Sequence, residues 1–185
     1  MVKQILKETE DKMHKAVEVV RLELIKIRTG KATTALLDGI KVEYYGSMTP
    51  LAQVANVSVP DVHTILIQPW EKNTIPAIEK AILTANLGLN PVNDGNVVRV
   101  PIPLLNEERR KELVKLVKKF AEDGKIAIRN VRRDAIEHLK KSEKAEHFSE
   151  DERKRAEQEA QKLTDKFIKD VDVVVAQKEK EIMEV

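Results

Sequence analysis

Apolar side chains recur at three- or four-residue steps through three long stretches of this chain, a pattern that requires three helical faces to be buried. In residues 2–29 the series is Leu6, Met13, Val17, Val20, Leu24 and Ile27, and Gly30 follows at once, able to take the left-handed conformation that ends a helix. Residues 107–144 repeat the pattern with Leu113, Val117, Phe120, Ala127, Val131 and Ala135. Asn106 precedes them as an N-cap, and Glu107 and Glu108 favour the positive end of the helix dipole. Ser149 and Glu152 form the S-x-x-E capping box that opens a third helix, with a seam of Ala156, Ala160, Leu163, Phe167, Val171 and Val174. With 35% charged and 42% hydrophobic residues but only 3% aromatics, the composition suits long helices packed through aliphatic side chains.

Residues 31–104 break the pattern. IKVEYY, VANVSV, TILIQ and VVRVPIP carry the β-branched and alternating signals of strands, with turns near Gly46 and at NDG, residues 93–95. Between them TIPAIEKAILTA, residues 74–85, reads as a helix capped by Asn73, with Pro76 in its first turn and Gly88 as its stop. The expected architecture is therefore α+β. A three-helix bundle from residues 1–30 and 105–185 carries an inserted β/α/β domain at 31–104. Because the chain leaves near Gly30 and returns near Leu104, the first two helices run antiparallel, and a tight turn at His147–Phe148 reverses the third. The second helix would be about 55 Å long, so the expected molecule is elongated.

Enzyme chemistry finds no foothold. His14, His63, His138 and His147 are scattered without zinc-site spacing, and His138 reads as a packing residue near the second seam. There is no G-x-x-x-x-G-K-[ST] phosphate loop and no cysteine, so no catalytic residue, metal site or cofactor is expected. The opening MVKQILKETEDKM lacks the apolar core of a signal peptide, and no apolar run is long enough for a membrane span. The expectation is a cytoplasmic protein. Alternation along the strand at Tyr44 and Tyr45 turns one ring inward and the other outward, and Trp70, in PWEKN, covers the small domain.

Charge is unevenly distributed. Residues 105–144 hold thirteen Lys/Arg against eight Asp/Glu, whereas residues 145–185 hold eight against twelve. On a helical projection centred on Val131, Lys111, Lys115, Lys118, Lys125, Arg129, Arg132, Arg133 and Lys140 fall between about 100° and 200°, interrupted only by Glu122. A solvated helix face does not require such sorting of sign. Arginine stands at the densest point, and its planar fork bonds phosphate bidentately. No aromatic residue lies among the cations, so the stripe suits the backbone and shape of folded RNA or DNA better than base stacking.

Four stretches, RTGKATTALLDGIKVEYYG (28–46), ANLGLNPVNDG (85–95), PIPLLNEERRKEL (101–113) and IAIRNVRRDAI (126–136), resemble the bacterial ribosome recycling factor family in order and spacing along essentially the whole chain. The resemblance implies an L-shaped molecule, a three-helix bundle joined to the small domain by a two-stranded hinge at 29–31 and 103–106. It also implies a translation factor that binds the post-termination ribosome at the subunit interface, chiefly against ribosomal RNA of the large subunit. With elongation factor G and GTP, such a factor separates the subunits and releases messenger and transfer RNA, performing no chemistry itself. The family's RNA-contacting arginines map onto Arg129, Arg132 and Arg133, and further onto Arg110 and Arg28, with Lys125 and Lys118 along the same stripe. Arg28, Thr29 and Gly30 match the outgoing junction, and Pro103, Leu104, Leu105 and Asn106 the return. Thr34 stands where many members have proline, and Asn106 replaces a common threonine. The rival reading is a basic helical coiled-coil adaptor that binds nucleic acid and uses its seams to oligomerise. The internal bundle instead implies a monomer.

Overall fold

The computed structural model describes residues 1–145 and 148–184. α1 (Val2–Ile25) opens the chain. It is followed by β1 (Lys41–Tyr44), β2 (Ser47–Pro50), the single-turn α2 (Leu51–Val54), β3 (Ala55–Asp61), β4 (Thr64–Pro69), α3 (Ile75–Thr84), β5 (Val92–Asn93) and β6 (Val98–Pro101). The long helices α4 (Glu107–Lys144) and α5 (Glu150–Met183) complete it. These elements form two compact units, Met1–Arg28 with Glu107–Glu184, and Thr29–Asn106. No helix among the described residues is long and apolar enough to cross a membrane.

In the inserted unit every strand pairing is antiparallel. β1 and β2 form a hairpin, and the four-stranded sheet runs β3-β4-β6-β5. Alternation buries Ile65 and Ile67 of β4 beside their β6 partners Val100 and Val98, while Leu66 and Arg99 face the other way. Ile75, Ile78 and Ile82 of α3 pack into the same core as Val42 and Leu89. Sequence reasoning missed β2, β5 and α2, which are short and carry little β-branched signal. The expected cap at Asn73 is also displaced: a 3₁₀ turn at Lys72–Thr74 leads into α3 with Thr74 at its start, and Pro76 sits in the first turn. Thr34 begins a 3₁₀ helix, Thr34–Leu37, that the Thr33 side chain caps by accepting from the Ala35 amide. A proline would be tolerated at that first helical position, so Thr34 leaves the cap unchanged.

Both chain segments bordering this unit are fixed to one turn. The Ala32 amide donates to the Val62 carbonyl and the Ile102 amide to the His63 carbonyl, each at 2.7 Å. Thr29 and Gly30 are buried, and Gly30 has φ 77°, the left-handed region that favours glycine.

The helical unit is a three-helix bundle whose directions follow from its contacts. Ion and hydrogen-bond pairs Lys125–Asp172 and Arg132–Gln161 run antiparallel between α4 and α5. His14 lies edge-on to Phe167 and Lys166 pairs with Glu10, so α1 and α5 run in the same direction. The expected capping box of Ser149 and Glu152 is present in both directions. The predicted turn at His147–Phe148 is only partly seen, because His147 lies outside the described residues; Phe148 packs on Ile5, Leu139 and Ala156.

The seam of α4 is rotated from the one read in the sequence. Leu113, Val117, Ala121, Gly124, Ile128, Ala135 and Leu139 are buried, whereas Phe120, Ala127 and Val131 are only half-buried. Its centre lies about 40° from Val131, toward the basic stripe. The same correction applies to α1 and α5. Ile5 and Thr9 are buried where Leu6 was expected, and Thr164 and Val175 where Leu163 and Val174 were. α1 ends at Ile25 instead of residue 29, because its last turn tightens into an Ile27-to-Leu24 bond that still buries Ile27. His138, expected to pack, is exposed.

Small residues explain the rotation. Gly124 is buried against α1, where a Cβ would overlap the Cγ2 methyl of Val20. Val20 cannot easily turn away, since a β-branched side chain in a helix has one strongly preferred rotamer. Alanine at 124 gains about 1 kcal/mol in helix propensity, but overpacking a close contact costs typically about 1–3 kcal/mol. We expect Gly124→Ala to lower unfolding stability by about 1 kcal/mol in urea titrations. In a Val20→Ala background the same change should become stabilising.

Candidate nucleic-acid interface

The rotation of α4 moves its basic stripe against α5. Arg132, placed about 100° from the sequence-derived centre, lies only about 60° from the observed one and is half-buried. Its Nη1 donates to Gln161 Oε1 of α5 at 2.6 Å, and its Nε is buried without a hydrogen bond. Gln161 Nε2 in turn donates to Asp165 Oδ1 at 2.9 Å. Lys125, with 21% of its side chain exposed, reaches Asp172 Oδ1 at 2.5 Å. Arg129 donates to Glu122 Oε1, two turns back on α4, at 3.1 Å. Arg133 and Lys118 are exposed and make no hydrogen bond or ion pair among the described residues.

Lys125, Arg129, Arg132 and Arg133 thus occupy a little over two turns of one helix flank, roughly 12 Å of axis. Lys125, Arg129 and Arg132 are held by neighbours across or along the bundle, whereas Arg133 is exposed. Lys118 continues the row toward the N-terminus of α4. Arg110, half-buried, and Arg28, exposed, belong to the other end of the helical unit; Arg110 is about 30 Å along α4 from Arg129. The fold does not gather them into the same cluster. Sequence reading missed Gln161, Asp165 and Asp172, which share one face of α5 at spacings of four and seven. That spacing was visible, but its meaning depends on the register of α5 against α4.

Among the described residues no group of His, Asp and Glu is arranged to hold a metal ion. What the flank offers is charge and geometry. Arginine donors stand at separations set by a helix repeat, a surface that fits successive phosphates of a folded polynucleotide.

A further polar cluster of the inserted unit lies at the β1–β2 turn. Tyr45 and Gly46 both have positive φ, 46° and 79°, as a two-residue turn matched to strand twist requires. Burial follows the expected alternation, with Tyr44 half-buried and Tyr45 76% exposed, and the turn nonetheless brings both hydroxyls to the same carboxylate. Tyr44 and Tyr45 donate to Glu71 Oε1 and Oε2, each at 2.7 Å, and their rings meet edge to face at 4.5 Å. The hydrogen bond to Glu71 raises both phenol pKa values above the ordinary 10.0, and the same bonds, that from Tyr45 first, lower Glu71. Trp70 next to it is 67% exposed and does not cover the small domain as expected.

The family model for ribosome recycling factor matches residues 20–183 of this chain. The chain belongs to the ribosome recycling factor family. A ribosome-recycling factor of Symbiobacterium thermophilum is 57% identical over 185 residues, covering all of both chains. One of Ralstonia pickettii is 55% identical over 184 residues, covering 100% of this chain and 99% of its own. The fold is similar to a solution structure of the ribosome recycling factor, with TM-score 0.75 at 50% identity, covering 100% of this chain and 98% of that one. It is also similar to a Thermus thermophilus recycling factor described with Escherichia coli elongation factor G bound to the post-termination complex. That likeness has TM-score 0.63 at 50% identity and covers 99% of each chain.

In this member of the recycling factor family the tyrosine cluster provides a direct reading of pH linkage. A phenol whose folded pKa is raised contributes stability that is complete below 10 and is lost as pH rises through the raised value. Glu71 contributes in the opposite sense, above the ordinary carboxylate range, and loses its contribution as pH falls through its lowered value. Because the chain has only two tyrosines, phenolate absorbance reports this cluster alone. We expect both to titrate above 10 in the folded protein, and Glu71→Gln to bring the transition down toward the ordinary range.

Proposed function

We propose that this protein recycles ribosomes after termination. It binds the post-termination ribosome and, with elongation factor G and GTP, promotes its separation into subunits and the release of messenger and transfer RNA. What carries the reading is the full-length match to recycling factors, one of them described with elongation factor G on the post-termination complex. The protein works in the cytoplasm as a monomer and as a binding factor without chemistry of its own. Hydrolysis of GTP belongs to its partner. The deciding experiment is a subunit-splitting assay on post-termination ribosomes, with and without elongation factor G and GTP. Splitting that proceeds equally well without this chain would overturn the reading.

In this reading the docking surface is the α4 flank, directed at ribosomal RNA of the large subunit. Arg129, Arg132 and Arg133 are its centre, Lys125 and Lys118 extend it, and Arg110 and Arg28 form a separate, peripheral set. The internal partners of Lys125 and Arg129 do not argue against this role. The Arg129–Glu122 pair is exposed, and such pairs contribute only about 0–1 kcal/mol, so phosphate can displace it at little cost; Lys125, less exposed, can share its charge with Asp172. We expect Arg129→Glu/Arg132→Glu/Arg133→Glu to abolish most ribosome binding in pelleting assays while thermal unfolding shows an intact fold. Log affinity of the unmodified protein should fall linearly with log salt, with a slope of roughly −0.7 to −0.9 per phosphate contact. Binding indifferent to salt would place the affinity in protein contacts instead.

The linkers carry the second half of the proposal. Residues 29–31 and 103–106 act as the hinge. The Ala32–Val62 and Ile102–His63 bonds hold the inner ends of both linkers, which restricts bending to Arg28, Thr29 and Gly30 on one side and Pro103, Leu104, Leu105 and Asn106 on the other. Valine cannot take the Gly30 conformation without strain. We expect Gly30→Val, or an insertion between Leu104 and Leu105, to slow subunit splitting while ribosome affinity is kept. Affinity and splitting lost in proportion by folded variants would contradict the separation of anchor from hinge.

A further inference from the structure

The three partnered cations of the α4 flank are not held in the same way. Lys125 and Arg129 each face a carboxylate, Asp172 and Glu122, so a phosphate arriving there must share or displace an existing counter-charge. Arg132 is held by the neutral amide oxygen of Gln161, at 2.6 Å, and its guanidinium makes no other hydrogen bond among the described residues. A neutral acceptor fixes direction without cancelling charge. We propose that Gln161 and Asp165 of α5 are positioning residues that hold Arg132 extended, with its full charge available, for one phosphate of the bound RNA; this rests on the interface reading given above.

The role of Asp165 follows from the two-ended chemistry of an amide. Gln161 could offer Arg132 either its oxygen or its NH₂, and the second orientation would set two donors against each other. Asp165 Oδ1 accepts from Gln161 Nε2 at 2.9 Å and thereby selects the orientation that presents the oxygen. The chain Asp165–Gln161–Arg132 crosses from α5 to α4, so the register of the two helices sets the aim of the guanidinium. An arginine in free solvent loses much of its rotamer freedom when it binds phosphate, and one fixed beforehand has already lost it.

The test uses the full chain, intact ribosomes as the probe, and Gln161→Met, which keeps the length and unbranched shape of the side chain but removes the acceptor. Ribosome affinity should fall about three- to tenfold, the range expected for ordering one long side chain on binding. The salt slope should stay unchanged, because no charge has been removed. Arg132→Ala should instead make that slope shallower by roughly one contact. Gln161→Met added to Arg132→Ala should cost nothing further, and Asp165→Ala should weaken binding in the unmodified background but not in the Gln161→Met background. Melting temperatures confirm that each variant is folded. An equal loss from Gln161→Met with and without Arg132 overturns the inference, as does no loss where Arg132→Ala shows one. Arg132→Ala without effect overturns the interface reading and this inference together.

Discussion

The rotation of α4 about its own axis governs the helical unit. It is set by the burial of Leu113, Val117, Ala121, Gly124, Ile128, Ala135 and Leu139, and above all by Gly124, whose missing side chain lets α1 approach until Val20 fills the space. A rotation of about 40° sounds small, but on a helix it exchanges one residue for its neighbour at the core boundary. Here it draws Lys125 and Arg132 from the solvent side to the groove edge beside α5. Surface chemistry in this protein is therefore a consequence of core packing, and a close contact on one side of α4 sets the positions of charges on another.

That arrangement resolves a conflict between order and availability. Long basic side chains on an isolated helix are mobile, and neutralising each with a carboxylate would order them but cancel the charge they present. The α4 flank contains both solutions within a little over two turns. Lys125 and Arg129 are ordered by charge, Arg132 by a neutral amide, and Arg133 stays exposed. The net-acidic composition of α5, read as a simple imbalance of charge, turns out to include specific partners such as Asp172 and Asp165.

Much of this was legible in one dimension. The bounds of α4, the Ser149 capping box and the discontinuous architecture rest on local signals such as apolar period, caps, prolines and glycines, and local signals survive folding. The basic stripe was also visible, with Arg129, Arg132 and Arg133 at its centre. What the sequence concealed depends on a second element. The centre of the α4 seam moved because small residues, Ala121 and Gly124, count as weak apolar markers in a projection yet mark the closest approach of helices. Gln161 looked like an ordinary polar residue until α5 was placed beside α4. The carboxylate shared by Tyr44 and Tyr45 was hidden too, since it takes a left-handed residue at Tyr45 to bring consecutive hydroxyls to Glu71.

The insertion of one unit within the other has a consequence for the order in which the protein can be made. The Thr29–Asn106 unit draws its core from a single uninterrupted segment, so it can close as soon as that segment has left the site of synthesis. α1 has been synthesised earlier, but its buried face of Ile5, Met13, Val17, Val20 and Leu24 has no partner until α4 and α5 follow. The first helix made is thus among the last to be covered. During that interval a partly folded chain carries a complete small domain and an unmatched apolar stripe, the kind of transient surface on which chaperones act.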